Sequence, residues 1–446
     1  MSNDKAWKDL TATEKREKRF EQWLSPKGVD FIDWEAERAY RERVSRFIKA
    51  IRLEEPDRVP VILPAGTFPL HYAGMTLKEA MYDNEKLCRA YRAFLREFES
   101  DTFTSPLMVP PGRPAEIINS LISKWPGHGL PDNASMQQFV EGEYMKEDEY
   151  DIFMDDLSDF CLRCYLPRTL GALAPFANFN PLPHILGMPN RFLMPAVMPD
   201  VQAAFQAIVD YGKESAKWIG PIMEFHREAL SMGYPSLMGG QAHAPFDILA
   251  DTLRGTRGIV RDMYRQPEKL HQAMEKLVPI NVDCGASMAN ASGRPIVFFA
   301  LHKGDDTFMS DSQYETFYWP TFKKVILGLI DEGCVPLLFA EGKYNRRLEV
   351  IKDLPRGSVL WWFDQTDMIK AKEILGDTAC ISGNVPTSLM CTGNPEDVKE
   401  YCRNLIQVCG KGGGFILTGG ASIDRGDPRN LRAMIEAAEE YGVYLK

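Results

Sequence analysis

No stretch of this 446-residue chain approaches the roughly 18 consecutive apolar residues that a membrane-spanning helix needs. The opening segment, MSNDKAWKDLTATEKREKRF, is charged throughout and has no apolar core of a secretory signal. Excess positive charge is missing too. The 52 Lys and Arg face 62 Asp and Glu, a formal net charge of −10 that argues against nucleic acid or an anionic membrane surface as partner. No G-x-G-x-x-G opens a helix after a strand and no P-loop is present, so dinucleotide and ATP chemistry have no support. Cysteine is too sparse for a disulfide framework. The nine cysteines are odd in number and scattered, which fits reduced thiols and a cytoplasmic address. The single C-x-x-C, Cys161-Leu-Arg-Cys164, falls in a helical run with no second pair beside it, and reads as two neighbouring helical thiols, not a metal site.

What is present has the balance of a globular protein, with 45% hydrophobic and 26% charged residues. Residues 1–54 read as a helical extension, whose periodic run Phe31 to Leu53 is stopped by Glu55-Pro56-Asp57. From residue 55 to 446 a rhythm of short apolar strands and amphipathic helices repeats. Expected strands are 59–64, 102–107, 235–239, 295–301, 335–340, 358–363, 378–383 and 414–419. Strands this apolar are buried on both faces, and eight of them alternating with helices imply an α/β fold of the (β/α)8, or TIM-barrel, type. One large insertion follows the second strand. Residues 108–200, rich in Pro, Met and Asn, would rise above the barrel mouth as a lid or pocket wall, or form a subunit interface.

In such a barrel the residues just after each strand face a shared mouth. They are polar here: Thr67; Ser105, with Asp101 just before its strand; Gln241 and His243; His302-Lys303-Gly304-Asp305-Asp306; Glu341; Asp364; Asn384. The run at 302–306 is the densest. Its imidazole, ammonium and carboxylates suit general acid–base work, anion contacts or hard metal ligation. His302, Glu341, Asp364, Lys303 and Asp101 are therefore candidate catalytic groups. His243, Gln241, Asp305, Asn384, Thr67 and Ser105 are candidate substrate contacts.

Several segments carry a resemblance. EPDRVPV (55–61), the run from Gly239 to Leu277 (GGQAHAPFDILADTLRG and onward), QYETFYWPTFKKVI (313–326), ISGNVPTSLMCTGNPEDVKEY and KGGGFILTGGASIDRGDPRN follow the order of the uroporphyrinogen decarboxylase superfamily. The chain resembles that superfamily's cobalamin-linked methyltransferase branch more than its porphyrin-decarboxylating one. Decarboxylases proper carry arginines after the first strand to hold the substrate's carboxylates, whereas here the place reads Leu63-Pro64-Ala65-Gly66-Thr67, without arginine. The methyltransferases bind zinc through a His-x-Cys after the fifth strand and a later cysteine. Phe339, Glu341 and Gly420 fall at those positions, leaving His302 and Glu341, with His243 as a further candidate, for zinc on harder ligands or no metal at all.

The resemblance implies a methyltransferase that demethylates a small O-, N- or S-methyl compound and passes the methyl to a separate corrinoid protein. The chain has no D-x-H-x-x-G cobalamin segment, so the cobalamin would sit on that partner, with no cofactor bound covalently here. The alternatives are a carboxy-lyase acting on a small carboxylic acid or porphyrin-type substrate, with Asp101 near a family acid, and a non-catalytic tetrapyrrole- or corrinoid-partner-binding protein. A homodimer would fit the superfamily.

Overall fold

The computed structural model describes residues 5–444. Six parallel strands form its central sheet: β1 (Met238–Gln241), β2 (Ile296–Leu301), β3 (Val335–Ala340), β4 (Leu360–Phe363), β5 (Cys380–Val385) and β6 (Phe415–Gly419), paired in that order. Each strand is bonded to the next in sequence, and helices form the connections, as a parallel sheet requires.

The first two expected strands hold their places without regular geometry. Pro60 and Pro64 remove two backbone donors from 59–64, so this segment joins β6 through a single rung. There Leu417 N donates to Pro60 O and Ile62 N to Leu417 O, both at 2.9 Å. Asp101 N in turn reaches Val61 O at 3.1 Å, while Pro106 turns the rest of 102–107 into a short helical turn. The third expected strand begins three residues late, at Met238. The circuit is that of a (β/α)8 barrel with six regular strands and two frayed ones.

Strand parity assigns the lumen. Ile296, Val335, Leu337, Leu360, Cys380 and Ile416 pack with Trp23, Phe47 and Ile51 in one apolar cluster. The last three come from α1 (Ala12–Leu24) and α2 (Trp34–Ile51), which close the lower end of the barrel. The N-terminal extension is thus a plug. Each fully buried large side chain in it is worth about 1.5–3 kcal/mol, and a ligand can enter only from the opposite, C-terminal end.

Outside the strands run α3 (Asn84–Glu97), α4 (Pro199–Ser231), α5 (Pro267–Ser292), α6 (Trp319–Asp331), α7 (Met368–Leu375), α8 (Pro395–Cys409) and α9 (Pro428–Tyr441). A short helix, Leu77–Tyr82, ends at Asp83, whose side chain caps α3 through Lys86 N at 2.8 Å. Residues 108–200 make a small three-stranded sheet (Ser123–Pro126, Gly129–Leu130, Gln138–Phe139) and a series of short helical turns. They share a separate apolar cluster, including Ile118, Leu173 and Phe176, with the start of α4.

Candidate active site

The side-chain period of two carries straight from the lumen to the mouth. Above Phe298 and Ala300 comes His302, above Phe339 comes Glu341, and above Trp362 comes Asp364. Phe298, Phe339 and Trp362 are partly exposed inside the barrel, and their rings lie against one another, with centroids 6.4 and 4.3 Å apart. The Trp362 indole N–H donates to Gly419 O at 2.7 Å, which fixes the tilt of that ring. The mouth therefore has an aromatic floor and a polar rim.

His302 is the centre of the rim. Its Nδ1 lies 2.7 Å from Asp251 Oδ2, and its Nε2 lies 3.6 Å from Glu341 Oε1. Lys303 Nζ is 3.3 Å from Asp251 Oδ1 and donates to Thr256 Oγ1 at 3.0 Å. The hydrogen bond from Asp251, and then the charges of Asp251, Glu341 and Asp247, push the imidazole up to about 9 against the cost of burial. At neutral pH it is an imidazolium, with Nδ1–H held by Asp251 and Nε2–H turned toward Glu341. The side chains of His302 and Glu341 remain 42% and 44% exposed, because they line a concave opening: protein surrounds them, yet water and a ligand reach them. Burial raises the Glu341 carboxyl above the usual range, and the His302 charge only partly offsets this.

Two residues that make this geometry stand in none of the strand tails. Asp247 and Asp251 lie one turn apart where the chain leaves β1, at the edge of a widened helical turn (Ile248–Leu253). Such turns recur at functional sites because they swing side chains off the regular helical face. Asp247 is 2% exposed and accepts His302 N and Lys303 N, both at 3.1 Å, and Tyr318 Oη–H at 2.7 Å. It ties the His302–Lys303 turn to the helical layer outside, and its complete burial pushes its carboxyl up to about 7. The sequence signal was available: two acids at i and i+4, just beyond a strand tail.

The remaining candidates separate clearly. His243 sits beside His302, and burial first, then the His302 charge, lowers its pKa. Gln241 Nε2 is 3.5 Å from its Nε2. Asp364 accepts Gly342 N at 3.1 Å and stands on the neighbouring strand tail, near Glu341. Thr67 is on the far side, donating to Asp424 Oδ1 at 2.7 Å, while Ser135 of the insertion donates to Asp424 Oδ2 at 3.3 Å.

Four expectations need correction. Asp101 is fully buried near the lower end of the first strand, where Arg46, both Arg58 nitrogens and Val61 N occupy its oxygens. Asn384 turns out of the lumen, donating to Thr366 O at 2.8 Å and accepting from Tyr401 on α8. Ser105 bonds His226 of α4 at 2.7 Å, inside a second apolar core that includes Phe103 and Phe225. Asp305 folds back onto Phe308 N and Thr307, capping its own turn. Each of these four spends its polar atoms on the protein itself.

Two of the three expected zinc positions, Phe339 and Gly420, carry no donor atom. Phe339 supplies a ring, and a Cβ at Gly420 would come within 2.9 Å of two Asp364 oxygens, leaving no room for a cysteine there. Among the described residues no three His, Cys, Asp or Glu side chains stand together as a metal cage.

The fold brings the polar mouth to the C-terminal end of the sheet, where barrel enzymes place their chemistry. The model of the family described as uroporphyrinogen decarboxylase (URO-D) matches residues 193–441, more than half of the chain, and the protein belongs to that family. It is 20% identical over 289 residues to the uroporphyrinogen decarboxylase of Coxiella burnetii, covering 61% of this chain and 78% of that one. Over 184 residues it is 25% identical to the Chlorobium luteolum uroporphyrinogen decarboxylase, covering 40% and 51%. A solved structure, a methyltransferase from Methanosarcina mazei, superposes with a TM-score of 0.54 at 15% identity over 89% of this chain and 98% of that one. That last likeness is one of fold. No helix among the described residues is long and apolar enough to cross a membrane.

Proposed function

We propose that this URO-D-like enzyme is a methyltransferase that removes a methyl group from a small O-, N- or S-methyl compound and hands it to a separate corrinoid protein in the cytoplasm. The observation that carries the reading is the Asp251–His302–Glu341 array at the rim, with an imidazolium whose free N–H faces the cavity. A heteroatom losing its methyl group gathers negative charge, and a positioned acid that supplies a proton typically contributes about 10²–10⁴-fold in rate. His302 Nε2–H is that acid. Asp251 holds its ring orientation and its charge, Asp247 holds its backbone, and Glu341 orients the N–H until substrate displaces it. The corrinoid of the partner supplies the nucleophile that receives the methyl.

Decarboxylation, the activity named for the curated relatives, has less support from the site. The first strand ends without arginine, and Asp101, the acid that reading relied on, is saturated by Arg46 and Arg58 at the other end of the barrel.

The test is incubation with reduced corrinoid protein and a panel of methylated compounds while the cobalamin spectrum is followed. The expected result is a substrate-dependent spectral change that His302→Ala removes. An unchanged spectrum across the panel would overturn the proposal.

A further inference from the structure

The long helix α4 has two apolar faces, and the protein covers only one of them. On the inner face Ala204, Trp218, Ile222 and Phe225 are buried. About a third of a turn away, at 3.6 residues per turn, Phe205, Ile208, Val209, Ile219 and Met223 form a second apolar row, and all five are exposed. Gly212, Ala216 and Gly220 complete that row and are exposed as well. A Cβ built on either glycine would meet no atom within 4 Å. Glycine inside a helix is destabilising relative to alanine, and nothing among the described residues uses the space these two leave. The insertion continues the face. Phe176 and Phe179 pack around Phe205, with centroids 5.4 and 6.2 Å away, and Phe192 packs on Phe179 at 5.5 Å. On the neighbouring turns Leu186, Leu193, Met194 and Val197 are between 61% and 82% exposed. Residues 170–199 hold one formal charge, Arg191, in a chain that is 26% charged. Loss of charge together with Met and aromatic side chains is the composition of an interface centre.

We propose that this face binds a second copy of the chain across a two-fold axis, the two α4 helices crossing at Gly212 and Ala216. The exposed apolar side chains of α4 and of 186–198 amount to roughly 1,000 Å². That exceeds the about 300–600 Å² of the largest patch on an ordinary monomer, and it matches the about 800 Å² that each partner gives to a stable interface. The row is also its own complement. Larger side chains flank the small ones on both sides, so antiparallel helices approach closely at the crossing and interdigitate where they diverge. The Phe205 end of one helix then meets the Met223 end of its partner. Charge favours a copy over other occupants. A molecule of net charge −10 can meet its own kind only where acids are absent or neutralised, and this face provides such a place. Lys213 and Lys217 on its border are paired with Asp210 and Glu214, which leaves no net charge there for an anionic lipid or an acidic protein. Neither His302 nor Glu341 belongs to the face, so assembly and activity can be tested apart.

The molar mass of the full-length protein is measured by light scattering after gel filtration and by sedimentation over a dilution series. The expected result is twice the chain mass at micromolar concentration. Ala216→Glu places a carboxylate at the crossing and should weaken association about a hundredfold or more, because a charge left unpaired inside an interface is strongly unfavourable. Ile208→Asp should act in the same way from one side of the crossing. Both positions are exposed in a single copy, so circular dichroism of each variant should match that of the parent, which separates lost assembly from lost folding. A parent that stays monomeric at these concentrations would overturn the proposal, and so would a dimer that both substitutions leave intact. A monomer that sediments with phosphatidylcholine vesicles would also overturn it, and would give the face to a lipid surface instead.

Discussion

The two ends of the barrel treat a carboxylate in an ionic network in opposite ways. Below, Asp101 is enclosed by Arg46 and Arg58, and a backbone N–H fills what the guanidiniums leave. Above, Asp251 also holds two cations, but one of them, His302, keeps a second nitrogen turned to an open cavity. Burial and charge alone do not separate the pair: both acids sit in ionic networks. What separates them is spare valence. A network whose every donor and acceptor is satisfied internally holds the fold, and one that ends on a donor facing water can act on a ligand.

That contrast can be broken experimentally. The largest effect should come from His302→Ala, which removes the acid. Methyl transfer should fall by about 10²–10⁴-fold while circular dichroism and the melting curve stay close to the parent's. Asp101→Ala should do the reverse. Leaving Arg58 and part of Arg46 unpaired beneath the first strand should cost about 3 kcal/mol in urea unfolding, with the folded fraction as active as before. Loss of activity at full stability in that variant would erase the distinction between the two ends.

Asp251→Asn sharpens the comparison, because it leaves His302 in place and removes its main support. The sign follows from linkage. The His302 pKa is raised from 6.5 to about 9, so the stabilisation from its charged form is complete below about 6.5 and is lost as pH rises through about 9. The activity of the parent should decline over the same alkaline limb. In Asp251→Asn that limb should move toward neutrality, and the rate at pH 8 should drop about tenfold or more. The smallest effect is expected from Asn384→Ala. Its amide serves Thr366 and Tyr401 outside the lumen, so thermal unfolding should reveal a loss of about 1 kcal/mol with little change in rate.

Strand parity explains how much of the site was legible beforehand. His302, Glu341 and Asp364 each follow an apolar strand at even spacing from a lumen residue, and local periodicity is enough to aim them at the same opening. Asn384 follows its strand in the same way yet turns outward, since the partners that capture it, Thr366 and Tyr401, belong to other parts of the chain. Asp101 was misplaced for the same kind of reason: its arginines arrive from α2 and from the loop before the first strand. The barrel itself was readable from the alternation of apolar runs and amphipathic helices. Its first two strands were over-read because Pro60, Pro64 and Pro106 leave the pattern of hydrophobicity intact while deleting rungs of the ladder. Asp247 and Asp251 went unread because a short widened turn lacks the repeat that marks longer elements.

The account stands on the charge state of one side chain. Selective carbon-13 labelling of histidine, with His302 assigned by His302→Gln, would give its titration directly by nuclear magnetic resonance. The prediction is a midpoint near the value of about 9, falling toward 6.5 in Asp251→Asn. A midpoint near 6.5 in both proteins would mean that the rim holds no acid at neutral pH, and the proposed chemistry would have no proton to give.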